Sequence, residues 1–390
     1  MSIRRGNIEQ RGENTWRIRY DLPLGPDGKR RQARVTFHGT RREAERELTR
    51  LLREKDLGLS LEPSRLTLGQ LLEKWLEYAK PNLAAQTWER YALIIEKHLV
   101  PALGVVLLTR LSPLQIQAYY AEAAKTTRPG WKKPIATRTI LHHHRLLRQV
   151  LQQAVKWRLL SVNPADAVDA PRPPRREMQI LTPEQAVILL AKARGYTLFV
   201  PIALSLYAGL RKGEVFGLQW HDVNLDDAVL HIRRTIIYPA GGPAFKEPKT
   251  ARGRRTIAMP SALVEIMREH RKTQQAHIER MGESYHRDLN LVCAQADGRA
   301  VANNIKRNFD NILSRAGLPQ IRFHDLRHTH ASAHLLGGVS PKVVSEILGH
   351  SAIGITLETY SHVLPQLQRD AQSRLDTLFG PKDAAEDAPS

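Results

Sequence analysis

FHDLRHTHASAHLLGGVSPKVVSEILGHSAIGITLETY, running from Phe323 to Tyr360, sets the fold and the chemistry of this 390-residue chain. It carries His324, Arg327, His350 and Tyr360, and far upstream Arg211 sits in AGLRKGE. Two arginines, two histidines and a tyrosine, without an acidic metal cluster, are the residue types that metal-free attack on a phosphodiester needs. A tyrosine oxygen can act as nucleophile and leave a covalent protein–phosphate link. Arginine forks hold two phosphate oxygens at once and oppose the charge that grows in the transition state. Histidine moves or shares a proton near neutral pH.

Local pattern places these residues at element ends. His324 and Arg327 are three apart, which puts both on one helical face, with Asp325 and His328 expected to point elsewhere. Ser340-Pro341 opens the helix KVVSEIL and Gly349 ends it, so His350 emerges just past a helix C-terminus. Tyr360 follows the ITLETY segment, whereas Tyr207, Tyr238 and Tyr285 lack this context. Arg211 follows the apolar helix FVPIALSLYAG, where Gly209 suits the end; Arg211, Lys212 and Glu214 open the next helix. Glu214 is placed to hold the Arg211 guanidinium through paired hydrogen bonds.

HDLRH, the ILGH that follows, the later TY and the earlier GLRKGE resemble the tyrosine recombinase (phage integrase) family. The resemblance is strongest from about Ile180 to Leu378. One H-x-x-R arises by chance in many proteins; the full set in order is far more specific. The resemblance implies a multidomain, mainly α chain: a small N-terminal β-sheet plus helix unit, a helical core-binding (SAM-like) domain, and a mixed α+β catalytic domain. It also implies a reaction. Tyr360 attacks a scissile phosphate to give a 3′-phosphotyrosyl link, and Arg211, Arg327 and His350 bind the non-bridging oxygens. His324 assists proton transfer from the tyrosine. A lysine on a β-hairpin protonates the leaving 5′ oxygen, with Lys249 in PKT the best match and Lys246 its competitor. Ala228–Arg234 and Arg254–Met259 read as the strands around it, with Phe245 to Thr250 as a loop. Neither a cofactor nor ATP is implied, and AGLRKGE lacks Walker spacing.

Composition agrees with a polyanion partner. Lys+Arg number 59 against Asp+Glu 39, a net charge of +20, and the pI is near 10.3. Three quarters of that excess lies in the first 175 residues, which therefore read as DNA clamps rather than the seat of chemistry. Cys293 is the only cysteine, so neither a disulfide framework nor a cysteine zinc site is expected. MSIRRGNIEQ lacks an apolar signal region and no run approaches a membrane span, which suggests a cytoplasmic, nucleoid-associated protein.

Along the chain, residues 1–60 read as a unit of their own. Thr15–Tyr20 alternates as a strand does, Leu24–Gly28 is a turn, Arg31–Phe37 returns, and a Thr40/Glu43 capping box opens a helix through about Lys55. This unit resembles the arm-type DNA-binding domain of many integrases, with Arg17, Arg19, Arg31 and Arg34 facing DNA. Residues 61–170 read as helical. Thr67/Gln70 and Ser112/Gln115 have capping-box spacing, and a long basic run from Thr137 is stopped at Asn163-Pro164. The resemblance makes this the core-binding domain, with Lys132, Lys133, Arg138, Arg145 and Arg148 as phosphate contacts. His142-His143-His144 are adjacent and cannot converge on one ion, so they read as a polar or DNA-facing helix surface. DAPRPPRRE reads as a linker over 171–180, the hinge of a clamp. Thr182-Pro183-Glu184-Gln185 opens the catalytic domain, 181–378. Leu364, Leu367, Ala371, Leu375 and Leu378 mark an amphipathic C-terminal helix that closes its own core or docks on a neighbouring subunit, and an acidic tail spans 379–390.

The partners implied are double-stranded DNA at core and arm-type attachment sites, a homo-tetramer on DNA, and host DNA-bending and excisionase-type accessory proteins. A recombinase integrating or excising a phage or mobile element fits best. A chromosome-dimer-resolving recombinase, a type IB topoisomerase and a non-catalytic DNA-binding regulator on the same scaffold are the alternatives.

Overall fold

The computed structural model describes residues 6–21, 32–56, 66–125, 134–174, 178–239, 241–247, 253–302 and 304–360, with Arg369, Gln372, Leu375 and Phe379. Arg31, Lys132, Lys133 and Lys249 lie outside the described residues. The chain divides into two compact units, Met1–Arg175 and Arg176–Ser390. Among the described residues no helix is long and apolar enough to cross a membrane.

The first unit opens with an antiparallel sheet of β1 (Gly6–Gly12), β2 (Thr15–Asp21) and β3 (Gln32–His38), in that order. Ile8 pairs with Ile18 and Ile18 with Val35, so alternation gathers the apolar side chains on one face. Leu48, Leu51 and Leu52 of α1 (Arg41–Asp56) cover that face. Arg17, Arg19 and Arg34 therefore take the other face, where Arg19 pairs with Glu9 at 2.7 Å. The expected box at the head of α1 forms, with the Thr40 amide donating to Glu43 Oε2 at 2.8 Å. Strand β1 has no sequence signature, because GNIEQRG offers the core only Ile8.

The rest of this unit is helical: α2 (Leu68–Ala79), α3 (Ala85–Ile94), α4 (Val100–Leu103), α5 (Pro113–Lys125) and α6 (Thr137–Lys156). A π-helical turn, Ile95–Leu99, joins α3 to α4. Leu68, Leu71, Leu72, Leu99, Ile116, Leu147 and Leu151 form the core. Two expectations fail here. Asn163-Pro164 does not stop α6, which ends at Lys156 with Arg158 in the left-handed region (φ 60); Asn163 instead caps the short turn Pro164–Ala167 by accepting from the Ala165 amide. Two of the three adjacent histidines do not lie on a polar or DNA-facing surface either; His142 stays partly exposed. His143 and His144 are buried, because their positions on α6 fall on the leucine face, and Tyr119 and Tyr120 hydroxyls meet their ring nitrogens at 2.8 and 3.1 Å. Arg138, Arg145 and Arg148 do lie exposed on α6, with Arg148 bonded to Asp166 at 2.6 Å.

The second unit surrounds α8 (Phe199–Ala208), which is buried almost throughout. Around it lie α7 (Pro183–Ala193), α9 (Lys212–Gly217), α10 (Ser261–Met281), α11 (Lys306–Arg315), α12 (Asp325–Leu336), α13 (Pro341–Leu348) and α14 (Ile353–Thr359). Strands β4 (Val223–Asn224), β5 (Val229–Ile232) and β8 (Arg255–Ala258) form one antiparallel sheet in the order β4-β5-β8. Phe245 and Lys246 are not loop, as expected, but belong to β7 (Ala244–Lys246), paired with β6 (Thr235–Ile237). That hairpin is too short to show alternation. Arg369, Gln372, Leu375 and Phe379 are helical and exposed; the other residues of the expected C-terminal stripe lie outside the described residues.

Candidate active site

Two helices of the second unit end in left-handed glycines, and those ends build the site. Gly209 terminates α8 at φ 62 and Gly349 terminates α13 at φ 63. A Cβ on Gly209 would also stand 2.6 Å from His330 Cδ2, so only glycine fits. After Gly209 the chain reverses into α9, with Arg211 at its N-cap. The Arg211 amide donates to Glu214 Oε2 at 2.9 Å and its Nη1 donates to Oε1 at 2.8 Å, the pairing expected of Glu214.

Three arginines converge on the end of α13. Arg255 Nε donates to the Ile347 carbonyl, Arg327 Nη2 to the Leu348 carbonyl, and Arg211 Nη2 to the Gly349 carbonyl. The last carbonyls of a helix have no partner within it and carry the negative end of its dipole, so each takes a guanidinium favourably. Ser345 and Glu346 carbonyls are met instead by the His350 and Gly349 amides. Arg327 Nη1 also donates to the Gly209 carbonyl at 2.7 Å, tying the two helix ends together.

Glu214 offsets only part of this positive charge. Arg255 forks onto it at 2.8 and 3.1 Å, so one carboxylate serves two arginines. Burial alone would raise the Glu214 carboxyl, but Arg255, then Arg211, outweigh it and hold it down to about 2. Arg327 is 2 % exposed; burial, then the nearby Arg211, brings it down to about 9, so it is still charged at neutral pH. With one carboxylate among three guanidiniums, the cluster keeps an excess of positive charge.

The histidines and the tyrosine border it. His350 lies just past Gly349, its Nδ1 2.8 Å from Thr356 Oγ1, and burial followed by Arg327 and Arg211 lowers it to about 4. His324 stands at the N-cap of α12, part of its surface open to solvent; desolvation of its ring by the surrounding protein, then Arg327, lowers it. Tyr360 caps α14 and is 1 % exposed, packed on Ala331, Leu335, Val344 and Leu348. Burial pushes its hydroxyl up to about 12, against a smaller opposing pull from Arg327.

Arg211, His324, Arg327, His350 and Tyr360 are thus brought together; Lys249 is outside the described residues, and Lys246 ends β7. Two residues were missed by sequence reasoning. His328 was expected to point elsewhere, yet its Nδ1 lies 2.8 Å from the Tyr360 hydroxyl. The signal was the i,i+4 spacing from His324, whose ring stands 4.9 Å from that of His328. Arg255 was read only as part of a strand. It shares the inward face of β8 with buried Ile257, and an inward arginine requires a partner.

Comparisons with known proteins bear on the family and the fold. The profile of the Phage integrase family matches residues 179–366, and that of the Phage integrase N-terminal SAM-like domain matches residues 67–123, together more than half of the chain. A "Tyrosine recombinase XerC-like" protein of Caldanaerobacter subterraneus subsp. tengcongensis is 28% identical over 96% of this chain and 98% of its own. The integrase of Mycobacterium phage L5 is 27% identical over 74% of this chain and 73% of its own. Among solved structures, the Tn1549 transposon integrase in complex with a circular intermediate DNA shares the fold (TM-score 0.68, 20% identity, covering 80% of this chain and 99% of that one). So does a lambda integrase dimer bound to a COC′ core site, with TM-score 0.55 and 17% identity over 90% of this chain and 94% of that one. The chain belongs to the phage integrase family and is a tyrosine recombinase, an enzyme that transfers DNA strands.

Proposed function

We propose that this site-specific recombinase cuts DNA through Tyr360 and integrates or excises a phage or mobile element. The Tyr360 oxygen attacks the scissile phosphate; the P–O5′ bond breaks and a 3′-phosphotyrosyl link forms. Arg211 and Arg327 bind the non-bridging oxygens, and His350 donates to one of them. His324 assists proton transfer from the tyrosine, and Lys249, or Lys246 in its place, protonates the leaving 5′ oxygen. The link conserves the phosphodiester's energy, so a 5′ hydroxyl from a partner duplex reverses the step without ATP.

The observation that carries this reading is the convergence of Arg211, Arg255 and Arg327 on three successive carbonyls, with Glu214 shared by Arg211 and Arg255, beside Tyr360. Guanidiniums gathered at this density repel one another unless an anion joins them. A phosphate beside the tyrosine is such an anion.

The remaining roles follow the same reading. Residues 1–60 bind arm-type sites, 61–170 form the core-binding domain, 171–180 link it to the catalytic domain 181–378, and 379–390 form a tail. Arg17, Arg19 and Arg34 share the sheet face opposite α1, which suits a major groove or phosphates, with Arg31 in the same role. Arg138, Arg145 and Arg148, with Lys132 and Lys133, contact the core-site backbone. The enzyme works as a homo-tetramer on DNA in the cytoplasm, with DNA-bending and excisionase-type proteins setting direction.

The test is a duplex nicked beside the scissile phosphate at the element's own junction, incubated with wild type and with Tyr360→Phe. A covalent adduct from wild type alone is expected. Specific binding without an adduct from either protein would overturn the reading in favour of a DNA-binding regulator.

A further inference from the structure

We propose that His328 is the group that receives the Tyr360 proton, so that the histidine assigned above to that transfer, His324, acts on the phosphate side instead. This rests on Tyr360 being the nucleophile. The geometry is direct: His328 Nδ1 lies 2.8 Å from the Tyr360 hydroxyl, while His324, one turn earlier on the helix, meets His328 ring to ring. A general base must be within hydrogen-bond reach of the proton it takes, and His328 meets that condition. The ring of Tyr360 packs edge-on to His328 with centroids 5.7 Å apart, which fixes the direction of the hydroxyl.

Around His328 stand His324 and Asp325 one turn back, Arg322 before the helix, Arg327 beside it, His350 past α13, and Tyr360. Burial, then His324, lowers the His328 imidazole to about 4, so at neutral pH it is uncharged and free to accept. At that basicity alone it would be a weak base. A phosphate arriving at the arginines brings negative charge into the same space and raises it. The proton balance then closes. The Tyr360 Oη–H bond breaks, the proton moves to His328 Nδ1, and Oη bonds phosphorus while the P–O5′ bond breaks. When a 5′ hydroxyl attacks the phosphotyrosine, Tyr360 leaves and His328 returns the proton. His328 touches a reacting atom and is in that sense a catalytic residue.

The experiment uses the full-length protein on the nicked duplex, measuring adduct formation between pH 7 and 9 for wild type, His328→Ala, His328→Asn and Tyr360→Phe. At pH 7 a loss of about 100-fold is expected for His328→Ala. The deficit narrows with pH, as hydroxide replaces the missing base. His328→Asn offers an oxygen to the hydroxyl but cannot take a proton, so it stays slow while melting and binding DNA as wild type does. A wild-type rate in His328→Asn, or a deficit in His328→Ala that does not change with pH, overturns the proposal, since either would mean that His328 only positions Tyr360. These results are distinct from failure of the nucleophile assignment, which would show as an adduct persisting in Tyr360→Phe. A second substrate, with sulfur in place of the bridging 5′ oxygen, needs no proton on its leaving group. It should leave the His328→Ala deficit in place; rescue by sulfur would move His328 to the leaving-group side and overturn the assignment.

Discussion

Helices α6 and α12 are both rich in histidine, and both bond histidine to tyrosine, yet only one of them borders a cluster of arginines. His143 and His144 of α6 meet Tyr119 and Tyr120 at 2.8 and 3.1 Å; His328 of α12 meets Tyr360 at 2.8 Å. The pairs are alike in geometry. What differs is the surroundings: Ile140, Leu146, Leu147 and Val150 accompany the first, whereas Arg211, Arg255 and Arg327 flank the second. In a leucine core a histidine–tyrosine bond satisfies polar groups that burial would otherwise penalise. Beside excess cations it stands next to positive charge that the protein does not fully compensate. Converging charge, rather than the pair itself, marks the site.

The largest effect should come from removing that charge. Arg327→Ala takes away a buried cation that holds both the Gly209 and Leu348 carbonyls. Its adduct rate should fall about 1,000-fold or more, the scale of losing an oriented donor to a transition-state anion. His143→Phe, by contrast, should leave the rate per folded molecule unchanged. A rate within tenfold of wild type for Arg327→Ala would break the distinction between the two helices.

Next in size is the network behind the cations. Arg255 and Glu214 are both buried, with side chains 7 and 5 % exposed. Arg255→Met leaves Glu214 under-partnered and should cost about 3 kcal/mol in urea unfolding. Adding Glu214→Gln should recover part of that loss, because the stranded charge goes with it. If the double variant is no more stable than Arg255→Met, the carboxylate is already well served by Arg211 alone. In the helical unit the comparable change is smaller: His143→Phe strips the Tyr119 hydroxyl of its ring-nitrogen partner and should cost about 2 kcal/mol.

Acid probes His328 and His330 of α12 and their neighbour His350. Burial lowers His330 of α12 to about 4, with His328 and His350 held to about the same value. All three are neutral in the fold above pH 6.5, as they are in the unfolded chain, so there they add no pH dependence. Below 6.5 the unfolded chain binds protons that the fold refuses, and stability falls as pH drops towards 4. Glu214, depressed to about 2, extends the loss from about pH 4.5 downwards. Each histidine contributes at most about 1.4 kcal/mol per pH unit. His330→Asn, which keeps a donor for the Leu206 carbonyl, should flatten part of the slope in thermal unfolding. An unchanged slope would assign the acid loss elsewhere.

Much of this was legible in the sequence because it was written in local signals. Thr182, Thr67 and Thr40 opened their helices as their spacing predicts, and Gly209 and Gly349 ended theirs, which placed Arg211 and His350 correctly. What stayed hidden depended on partners far away in sequence. Arg255 needs Glu214 and Ile347, and His328 needs Tyr360; local spacing could mark either residue but could not name its distant partner. The α6 histidines were misread for a related reason. Adjacent histidines suggest a polar surface, and only the register of α6 against Tyr119 and Tyr120 shows that two of them face inward.

The smallest prediction compares a device the two units share. In both Thr67–Gln70 and Thr182–Gln185 the threonine amide donates to glutamine Oε1 at 3.0 Å, and the glutamine amide donates back to Oγ1 at 3.3 Å. Equal geometry should give equal cost, about 1 kcal/mol for either threonine to alanine. The contexts differ in one respect. Pro183 lacks an amide, whereas the Leu68 and Gly69 amides at the head of α2 are already met by Val106 and Gly104 carbonyls. If the cap acts only through its own two bonds, that difference is irrelevant and the two losses match. A markedly larger loss for Thr67→Ala would mean that its bridge to Leu107 also pins the segment after α4 to α2, and that the cap is part of the tertiary structure there.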